Sequence, residues 1–366
     1  MIRTIGLVTT NYNLNGYGVL TEERPASAVP FGGRYRLLDF ALSNMVNSRI
    51  QTVGLITPYQ YRSIMDHVGS GKPWGLDKKS GGLYILPGSV YGLRDTESRF
   101  LFRDILHNLS YFRQGDADYV LVSSGSLVAN VDYTPMLSQQ EVRGSQVTLL
   151  YRRTAEGEKR KAYYLTLNGD GRVTGINTAE EGENQFLNSF LIEKSLLLRL
   201  TRDFSTLGYM NFIDVLKMVL DSVNVDSFRF DGQIAFMDNV RDYYRSSMAL
   251  LEPAVRQDLF SRERPILTKI HDTPPALYTP GSSVTHTVMA AGTVVEGEVE
   301  NSVVFRSCRI EKGAVVKNCV LMEKCVIKAG ARLENVICDK YVTVSAGAVV
   351  CGTEENPCVL PKGSVV

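Results

Sequence analysis

The stretch "EKGAVVKNCVLMEKCVIKAGARLE", residues 311–334, decides the fold of the C-terminal part of the chain. Small and aliphatic residues recur in it every six positions. They form two series, Val315, Leu321, Ile327 and Leu333, and, one position earlier, Ala314, Val320 and Val326. A six-residue period is typical of a triangular coil in which each side takes one short strand and one turn. We therefore predict a left-handed parallel β-helix with these side chains pointing inward.

Related segments extend the repeat in both directions. "AAGTVV" begins at Ala290, "EKGAVV" at Glu311, "KAGARL" at Lys328 and "SAGAVV" at Ser345, so the starts lie 21, 17 and 17 residues apart. Prolines concentrate just before this region, at positions 265, 274, 275 and 280. Proline fixes the backbone and interrupts helices and central strands. We predict an extended linker over residues 252–283 and the β-helix over 284–366.

The preceding residues 1–251 alternate between two patterns. "TIGLVTT" and "QTVGLIT" are short apolar runs that predict buried strands, and "FALSNMVNS" between them has helical spacing. Asp39 is a candidate cap for that helix. Strands alternating with helices favour an α/β domain with a mostly parallel sheet.

Charge and composition exclude several classes of function. The chain of 366 residues has 40 Lys and Arg against 39 Asp and Glu, so it has no overall field to attract nucleic acid. No apolar stretch approaches the ~20 residues that span a bilayer, and the N-terminus lacks a secretory cleavage pattern. We therefore expect a cytoplasmic protein that binds neither membrane nor nucleic acid. All six cysteines fall between residues 308 and 358 without a C-x-x-C pair, which favours small apolar core residues over metal ligands or disulfides.

The segment "AVPFGGRYRLLDFALSNMVNSRIQTVGLIT", residues 28–57, closely resembles the segment after the catalytic loop in ADP-glucose pyrophosphorylases. "PILTKIHDTPPALY" and "VENSVVFRSCRIEKGAVVKNCVLM" resemble the linker and β-helix of the same family. The resemblance runs in order along nearly the whole chain. It implies a Rossmann-like nucleotidyltransferase domain (GT-A-like), a hexapeptide-repeat tail and a place in glycogen synthesis.

The chemistry of that family joins ATP and glucose 1-phosphate into ADP-glucose. It requires a glycine-rich loop, cationic side chains and Mg²⁺ held by carboxylates, because negative charge builds up between two anions. The family's loop L-A-G-G-x-G-T-R-L aligns with "TTNYNLNGY", residues 9–17, in which the three glycines are replaced by Asn11, Tyr12 and Leu14. The loop's arginine falls on Gly16. The lysine of the family's R-A-K-P-A-V falls on Ala26 in "RPASAV".

Three further family positions have lost their charge. The first metal aspartate aligns with Ser126 in "SGSLVANVDY", and the sugar-phosphate lysine aligns with Ala179 in "GINTAE". The second metal aspartate aligns with Phe236, although a shift of two residues brings Asp238 into its place. The resemblance therefore implies no catalytic residue and no metal ligand on this chain, and Mg²⁺ is expected in a catalytic partner.

These losses resemble the non-catalytic, GlgD-type branch of the family, which pairs with an active homologue. We expect a regulatory subunit that forms a hetero-oligomer, a heterotetramer by the resemblance, or a homo-oligomer when alone. Two alternatives stay open. One is an active adenylyltransferase with a rearranged site that uses Arg24 with Asp132 or Asp238. The other is a sensor of sugar nucleotides or sugar phosphates without an enzyme partner.

A candidate site for an anion or effector remains in the same segment. Its members are Arg24, Gly32, Gly33, Arg34, Arg36 and His67. The three arginines could bind a phosphorylated ligand, or they could be satisfied by backbone carbonyls. The two glycines could approach a nucleotide or simply form a tight turn, and a lone helical histidine is more often a packing residue than a ligand.

Overall fold

The computed structural model describes residues 3–12, 14–58, 60–89 and 99–366. The N-terminal strands are β1 (Thr4–Thr9), β2 (Pro30–Phe31), β3 (Tyr35–Arg36), β4 (Thr52–Thr57), β5 (Gly82–Pro87), β6 (Tyr119–Ser124), β7 (Val128–Ala129), β8 (Val147–Arg153), β9 (Ala162–Leu167), β10 (Val173–Ala179), β11 (Asn184–Glu193), β12 (Val225–Arg229) and β13 (Ile234–Ala235). The helices are α1 (Leu37–Asn47), α2 (Arg62–Val68), α3 (Phe102–His107), α4 (Leu109–Arg113), α5 (Thr134–Arg143), α6 (Lys194–Asp203), α7 (Phe212–Met218), α8 (Val240–Ala249) and α9 (Pro253–Leu259).

A nine-stranded mixed sheet forms the centre of the N-terminal domain. Its first part follows the predicted α/β pattern, because β5, β4, β1 and β6 are parallel neighbours. Beyond β6 the sheet turns antiparallel: β11 pairs with β6, β8 and β9, and β9 forms a hairpin with β10. The hairpin turn contains Asn168, Gly169, Asp170 and Gly171, residues typical of tight turns. The ninth strand, β12, pairs with β8 in parallel. The sheet is therefore parallel through β5, β4, β1 and β6 and mixed beyond β6.

Helix α1 lies where the apolar spacing predicted it, and Asp39 lies in its first turn. The Asp39 Oδ2 atom accepts the backbone N–H of Arg36 at 3.0 Å. Asp39 thus stabilises the start of the helix from inside the first turn, not from the position before it.

Fifteen short strands build the C-terminal domain: β14 (Leu277–Tyr278), β15 (Ser283–Thr285), β16 (Val288–Met289), β17 (Val294–Val295), β18 (Glu298–Glu300), β19 (Val303–Val304), β20 (Arg309–Ile310), β21 (Val315–Lys317), β22 (Val320–Leu321), β23 (Val326–Ile327), β24 (Arg332–Glu334), β25 (Val336–Cys338), β26 (Thr343–Val344), β27 (Val349–Cys351) and β28 (Cys358–Leu360). They form three five-stranded sheets whose neighbours are parallel, which confirms the left-handed parallel β-helix.

The direction of the aliphatic side chains differs in part from the prediction. Leu321, Ile327 and Leu333 are buried inside the β-helix as predicted, but Val316 takes the place expected for Val315. Val326 is half-buried, and Val320 points out of the β-helix toward the N-terminal domain. Val315 differs because paired strands here, such as Val304 and Leu321, lie 17 residues apart, which leaves two sides of six residues and one of five. Val320 and Val326 differ because each directly precedes an inward residue in the same strand, and successive side chains of a strand point to opposite faces.

Residues 252–283 are less uniformly extended than predicted. They contain α9, and β14 near their end already pairs with β17 of the β-helix. The cysteines at 308, 319, 325 and 338 are buried and free, as predicted for small apolar core residues, whereas Cys351 is exposed and Cys358 is half-buried.

The two domains share one hydrophobic core. Val303, Val320 and Ile337 project from one sheet of the β-helix into a cluster with Phe31 and Tyr243 of the N-terminal domain. All five side chains are almost fully buried. Burial of this size contributes about 1.5–3 kcal/mol for each large aliphatic or aromatic side chain, so the two domains stabilise each other.

Candidate functional site

A cleft of 660 Å³ opens in the N-terminal domain at the carboxyl ends of the central strands. Ser124 and Ser126 line it from the end of β6. Thr178 of β10 and Asp238, which follows β13, line the other side. Ligands of α/β sheets bind at this edge, where loops from several strands converge. The cleft is therefore the place to compare with the chemistry implied by the sequence.

Side chains from residues 9–17 pack against the cleft where a glycine-rich loop would expose its backbone. The Tyr12 hydroxyl is 2.7 Å from the Ser124 Oγ atom and donates to the Ser126 Oγ atom at 2.9 Å. Leu14 lines the cavity. A glycine-rich loop binds phosphate through exposed backbone N–H groups, which requires that no side chains intervene. The observed side chains take up that space.

Asn11 fixes the start of the same segment. Its side-chain amide donates to the Asp104 carboxylate at 2.9 Å, and the backbone N–H of Ser89 donates to Asp104 at 2.7 Å. Burial raises the pKa of Asp104, although these hydrogen bonds lower it in part. The segment is thus tied to α3 by a buried polar network.

Gly16, where the family carries an arginine, has no room for a side chain. A Cβ atom at this position would lie 2.5 Å from the Cβ atom of Asn239. The backbone N–H of Val240 also donates to the Gly16 oxygen at 2.9 Å. Close approach to the start of α8, rather than phosphate binding, explains the glycine.

Arg99 joins the two sides of the cleft, a role that no sequence pattern indicated. Its guanidinium donates to the Ser126 Oγ atom and, at 2.6 Å, to the Asp238 Oδ1 atom. The ring of Tyr12 lies 5.4 Å from the same guanidinium. The Arg99 side chain is only 14% exposed. Burial alone would lower the pKa of Arg99, but the Asp238 carboxylate and the Tyr12 and Tyr17 side chains together outweigh burial and raise it. The group is a permanent cation inside the cleft.

The structure places Asp238, not Phe236, opposite Ser126. Asp238 also accepts from Arg160 at 2.5 Å, and Arg160 donates to Asp242 at 2.7 Å. The ring of Phe236 instead lies under the guanidinium of Arg160, whose Cζ atom is 3.9 Å from the centroid of the ring. A carboxylate is therefore present on this side of the cleft, but two arginines neutralise it.

Asp132 is not available to replace the missing carboxylate. It accepts the backbone N–H of Thr134 at 2.9 Å and pairs with Arg264 at 3.4 Å. It does not line the cleft. Asp132 therefore stabilises the start of α5 and its contact with the linker.

The residues at this site do not fit Mg²⁺. Mg²⁺ requires oxygen ligands in octahedral geometry and is usually held by carboxylates. Ser126 supplies no charge, and Arg99 already lies between it and Asp238. Within residues 3–12, 14–58, 60–89 and 99–366, no group of three or more His, Cys, Asp and Glu side chains could hold a metal ion.

Ala26 and Ala179, the two positions at which the family carries a lysine, lie in different surroundings. Ala26 is 1% exposed within the core shared by the two domains, where a lysine would bury its charge. Ala179 ends β10 and pairs with Ala162 of β9. Thr178 and Ala162 line the cleft beside it.

The candidate effector arginines do not form one open anion site. Arg24 forms a buried ion pair with Asp339 of the β-helix, and its Nε atom donates to the Leu20 oxygen at 2.9 Å. Arg36 donates to the backbone oxygen of Ser63, and burial lowers its pKa. Arg34 is exposed, with its guanidinium 5.0 Å from the Tyr35 ring. Protein acceptors thus satisfy Arg24 and Arg36, one of the two alternatives left open by the sequence.

Gly32 and Gly33 form the tight turn between β2 and β3, with φ angles of 61° and 84°. A Cβ atom on Gly33 would lie 3.6 Å from Ala290 of the β-helix, and one on Gly32 would lie 3.1 Å from Phe260. Gly33 therefore faces the β-helix and Gly32 faces the linker, and neither lines the cleft.

His67 packs inside the N-terminal domain. Its Nε2 atom is 2.6 Å from the Asp39 Oδ1 atom, and both side chains are buried. Burial lowers the pKa of His67, although Asp39 raises it in part. A neutral imidazole that donates to Asp39 accounts for this geometry.

The N-terminal domain and the β-helix both match known protein families. Residues 19–178 match the family model described as nucleotidyl transferase, and residues 277–357 match the model described as GlmU-like, C-terminal hexapeptide. No helix in the described part of the chain is long and apolar enough to cross a membrane.

Comparison with curated proteins gives relatives along nearly the full length. The chain is 39% identical over 363 residues to the glycogen biosynthesis protein GlgD of Geobacillus stearothermophilus, covering 99% of this chain and 97% of the relative. It is 35% identical over 346 residues to the GlgD protein of Bacillus subtilis (strain 168), covering 94% and 92%. It is 32% identical over 315 residues to a glucose-1-phosphate adenylyltransferase of Thermotoga neapolitana, covering 82% and 73%. The chain therefore belongs to the family that unites the glucose-1-phosphate adenylyltransferases with the GlgD proteins.

Proposed function

We propose that this chain is a non-catalytic or strongly impaired regulatory subunit of ADP-glucose pyrophosphorylase in bacterial glycogen biosynthesis, acting in the cytoplasm. It associates with a catalytic homologue that holds Mg²⁺ and makes ADP-glucose from ATP and glucose 1-phosphate, and it raises the activity of that homologue. The observation that carries the proposal is the Arg99 guanidinium between Ser126 and Asp238, at the place where the family's chemistry needs a metal.

Energetics support the loss of turnover. Removal of one group that stabilises the transition state typically costs ~2.7–4 kcal/mol. Here the loop's arginine, a lysine, a metal carboxylate and the sugar-phosphate lysine are replaced by Gly16, Ala26, Ser126 and Ala179. Even with non-additive effects, several such losses bring turnover close to the uncatalysed rate.

The rigid connection between the domains supports a regulatory mechanism. The buried Arg24–Asp339 ion pair and the shared hydrophobic core join the N-terminal domain to the β-helix. The two domains therefore present a single rigid surface to a partner. Binding to this surface favours the active conformation of the partner. We expect a heterotetramer with contacts through both domains.

The test is an assay of ADP-glucose formation with Mg²⁺ in three samples: this chain alone, the catalytic homologue alone, and the two mixed. We expect no turnover by this chain alone and a higher rate in the mixture than in the homologue alone. Robust turnover by the isolated chain would reject the proposal. A mixture equal to the homologue alone would reject the activating role.

A second candidate function is a sensor of sugar nucleotides or sugar phosphates without an enzyme partner. The 660 Å³ cleft favours it, because this volume accommodates a small ligand. Calorimetric titration with ADP-glucose, glucose 1-phosphate and ATP distinguishes the two. Tight binding by a chain that does not associate with the homologue would favour the sensor. An active enzyme with a rearranged site is disfavoured, because Arg24 and Asp238 are both engaged in ion pairs.

A further inference from the structure

We infer that Arg99 is a built-in cation that replaces a metal ion as the link between the two walls of the cleft, so that the cleft is held together without Mg²⁺ and excludes it. The inference concerns the cleft of this chain alone and does not depend on a partner subunit.

Three separate segments meet at the Arg99 guanidinium. Ser126 follows β6, Asp238 lies between β13 and α8, and Arg99 itself precedes α3. One guanidinium nitrogen donates to the Ser126 hydroxyl and the other to the Asp238 carboxylate at 2.6 Å. A guanidinium offers several donors in a planar fork and can therefore bridge two acceptors at once. Arg99 is thus a positioning residue that fixes one wall relative to the other.

The charges around Arg99 are already balanced. Asp238 contacts both Arg99 and Arg160, and Arg160 also contacts Asp242, so that two guanidinium groups alternate with two carboxylates. A divalent cation here would lie beside a fixed positive charge and compete for carboxylate oxygens that are already hydrogen-bonded. Inside a protein, where charges are poorly screened, this repulsion is large. The network leaves no net negative charge to bind a metal.

The link is permanent, unlike a metal site. Chelators remove a bound metal ion, and metal occupancy depends on metal concentration. Arginine keeps its charge throughout the physiological range, and Arg99 is covalently part of the chain. The stability of this chain should therefore be insensitive to both Mg²⁺ and EDTA.

The experiment measures the thermal unfolding midpoint, Tm, of full-length variants in millimolar MgCl₂ and in EDTA. The wild type should show the same Tm in both. Arg99→Ala should lower Tm by about 4 °C or more in both solutions, because it leaves Asp238 partly unpaired. Arg229→Ala is the matched control, since Arg229 forms an exposed pair with Asp231, and it should leave Tm nearly unchanged.

The double variant Arg99→Ala with Ser126→Asp directly tests whether Arg99 takes the place of a metal ion. It removes the internal cation and supplies a second carboxylate beside Asp238, so MgCl₂ should raise its Tm by about 2 °C or more. Ser126→Asp alone should not respond to MgCl₂, because Arg99 pairs with the new carboxylate. A Tm of the wild type that rises in MgCl₂, or a response of Ser126→Asp equal to that of the double variant, would overturn the inference.

Two further measurements apply even if the double variant fails to fold. Calorimetric titration of the wild type with Mn²⁺ should detect no binding, and binding would overturn the inference. The effects of Arg99→Ala and Asp238→Asn on Tm should be clearly less than additive, because both break the same contact. Additive effects would mean that Arg99 does not link the walls through Asp238. Arg99→Lys should recover part of the Tm lost in Arg99→Ala, as it keeps the charge but not the fork.

Discussion

At the scale of single residues, the departures of residues 9–17 from a glycine-rich loop form one consistent set. Leu14 lines the cleft, Tyr12 hydrogen-bonds to the cleft residue Ser126, and Gly16 packs against the start of α8. Each departure from a glycine-rich loop thus has a packing role in the present fold. Restoring one family residue at a time would therefore disturb the structure before it restored any chemistry.

Gly16 gives a direct test of this packing. We expect Gly16→Ala to lower the free energy of unfolding by about 1–3 kcal/mol, because the new Cβ atom would clash with Asn239. Urea unfolding measures the change. The control is Gly169→Ala, whose Cβ atom would meet nothing within 4 Å, and it should change stability by less than about 0.5 kcal/mol. Equal effects of the two substitutions would contradict the packing at Gly16.

The buried ion pair between Arg24 and Asp339 gives a second prediction. Asp339→Asn should cost about 3–5 kcal/mol of unfolding free energy, because it leaves the Arg24 charge buried without its partner. The double variant Arg24→Met with Asp339→Leu should recover much of this loss in urea unfolding. Glu23→Gln, in the exposed pair with Lys362, should cost less than about 1 kcal/mol. An Asp339→Asn variant no less stable than Glu23→Gln would refute the role of the pair.

The sequence predicted which charged positions are lost but not what replaces them. Gly16, Ala26 and Ser126 could be identified because they lie close to segments that match the motifs of the family. Arg99 could not, because its partners Ser126 and Asp238 are 27 and 139 positions away and no local pattern marks it. For a similar reason, the sequence did not decide whether Phe236 or Asp238 takes the place of the second metal aspartate. The two alignments differ by two residues, and only the directions of the side chains in the structure distinguish them.

At the scale of secondary-structure elements, the β-helix was the most predictable part, because each coil repeats the same inward positions. The error at Val315 arose from the five-residue side of a 17-residue coil, which a fixed six-residue period does not represent. The errors at Val320 and Val326 arose because successive side chains of a strand point to opposite faces, and the next residue of each strand is the inward one. The antiparallel part of the main sheet was missed for another reason. Buried strands have similar apolar runs in either direction, so composition alone does not distinguish parallel from antiparallel pairing.

A ladder of charges on the β-helix predicts a dependence of stability on acid. Burial would raise the pKa of Glu323, but Lys340 and Arg306 outweigh it and lower the pKa from its usual 4.5 to about 2. The folded state then binds fewer protons than the unfolded state between these values, so stability falls as pH falls from about 4.5 to about 2. Glu323→Gln should lose on the order of 2 kcal/mol at neutral pH and show a flatter pH dependence across this window.

Chemical unfolding at a series of pH values measures this effect. Glu334→Gln is the matched control, because Glu334 is an exposed residue of the same β-helix, and it should keep the wild-type profile. A Glu323→Gln variant with the wild-type slope in acid would contradict the role of the ladder.

At the scale of the whole molecule, the shared core makes one cooperative unit out of two domains. Val320 of the β-helix packs in the same cluster as Tyr243 of the N-terminal domain. Trp74, the single tryptophan, is buried in the N-terminal domain, so its fluorescence reports that domain alone. We expect fluorescence and far-ultraviolet circular dichroism to give the same unfolding midpoint in urea.

A variant sharpens this prediction. Val320→Ala removes buried methyl groups from the shared core and should lower both midpoints together. Two separate midpoints in the wild type, or a shift of only one of them in Val320→Ala, would show that the domains unfold independently.

The central proposal is that, when this chain associates with a catalytic homologue, the chemistry belongs to the homologue and not to this chain. The most direct test mixes this chain with a catalytic homologue whose own metal-binding aspartate has been replaced by asparagine, and measures ADP-glucose formation with Mg²⁺. The account predicts no product above the background of the disabled homologue, because the Ser126, Arg99 and Asp238 arrangement cannot take the metal. ADP-glucose formed by this mixture at a rate comparable to that of the intact homologue would contradict it, since association would then have completed an active site on this chain.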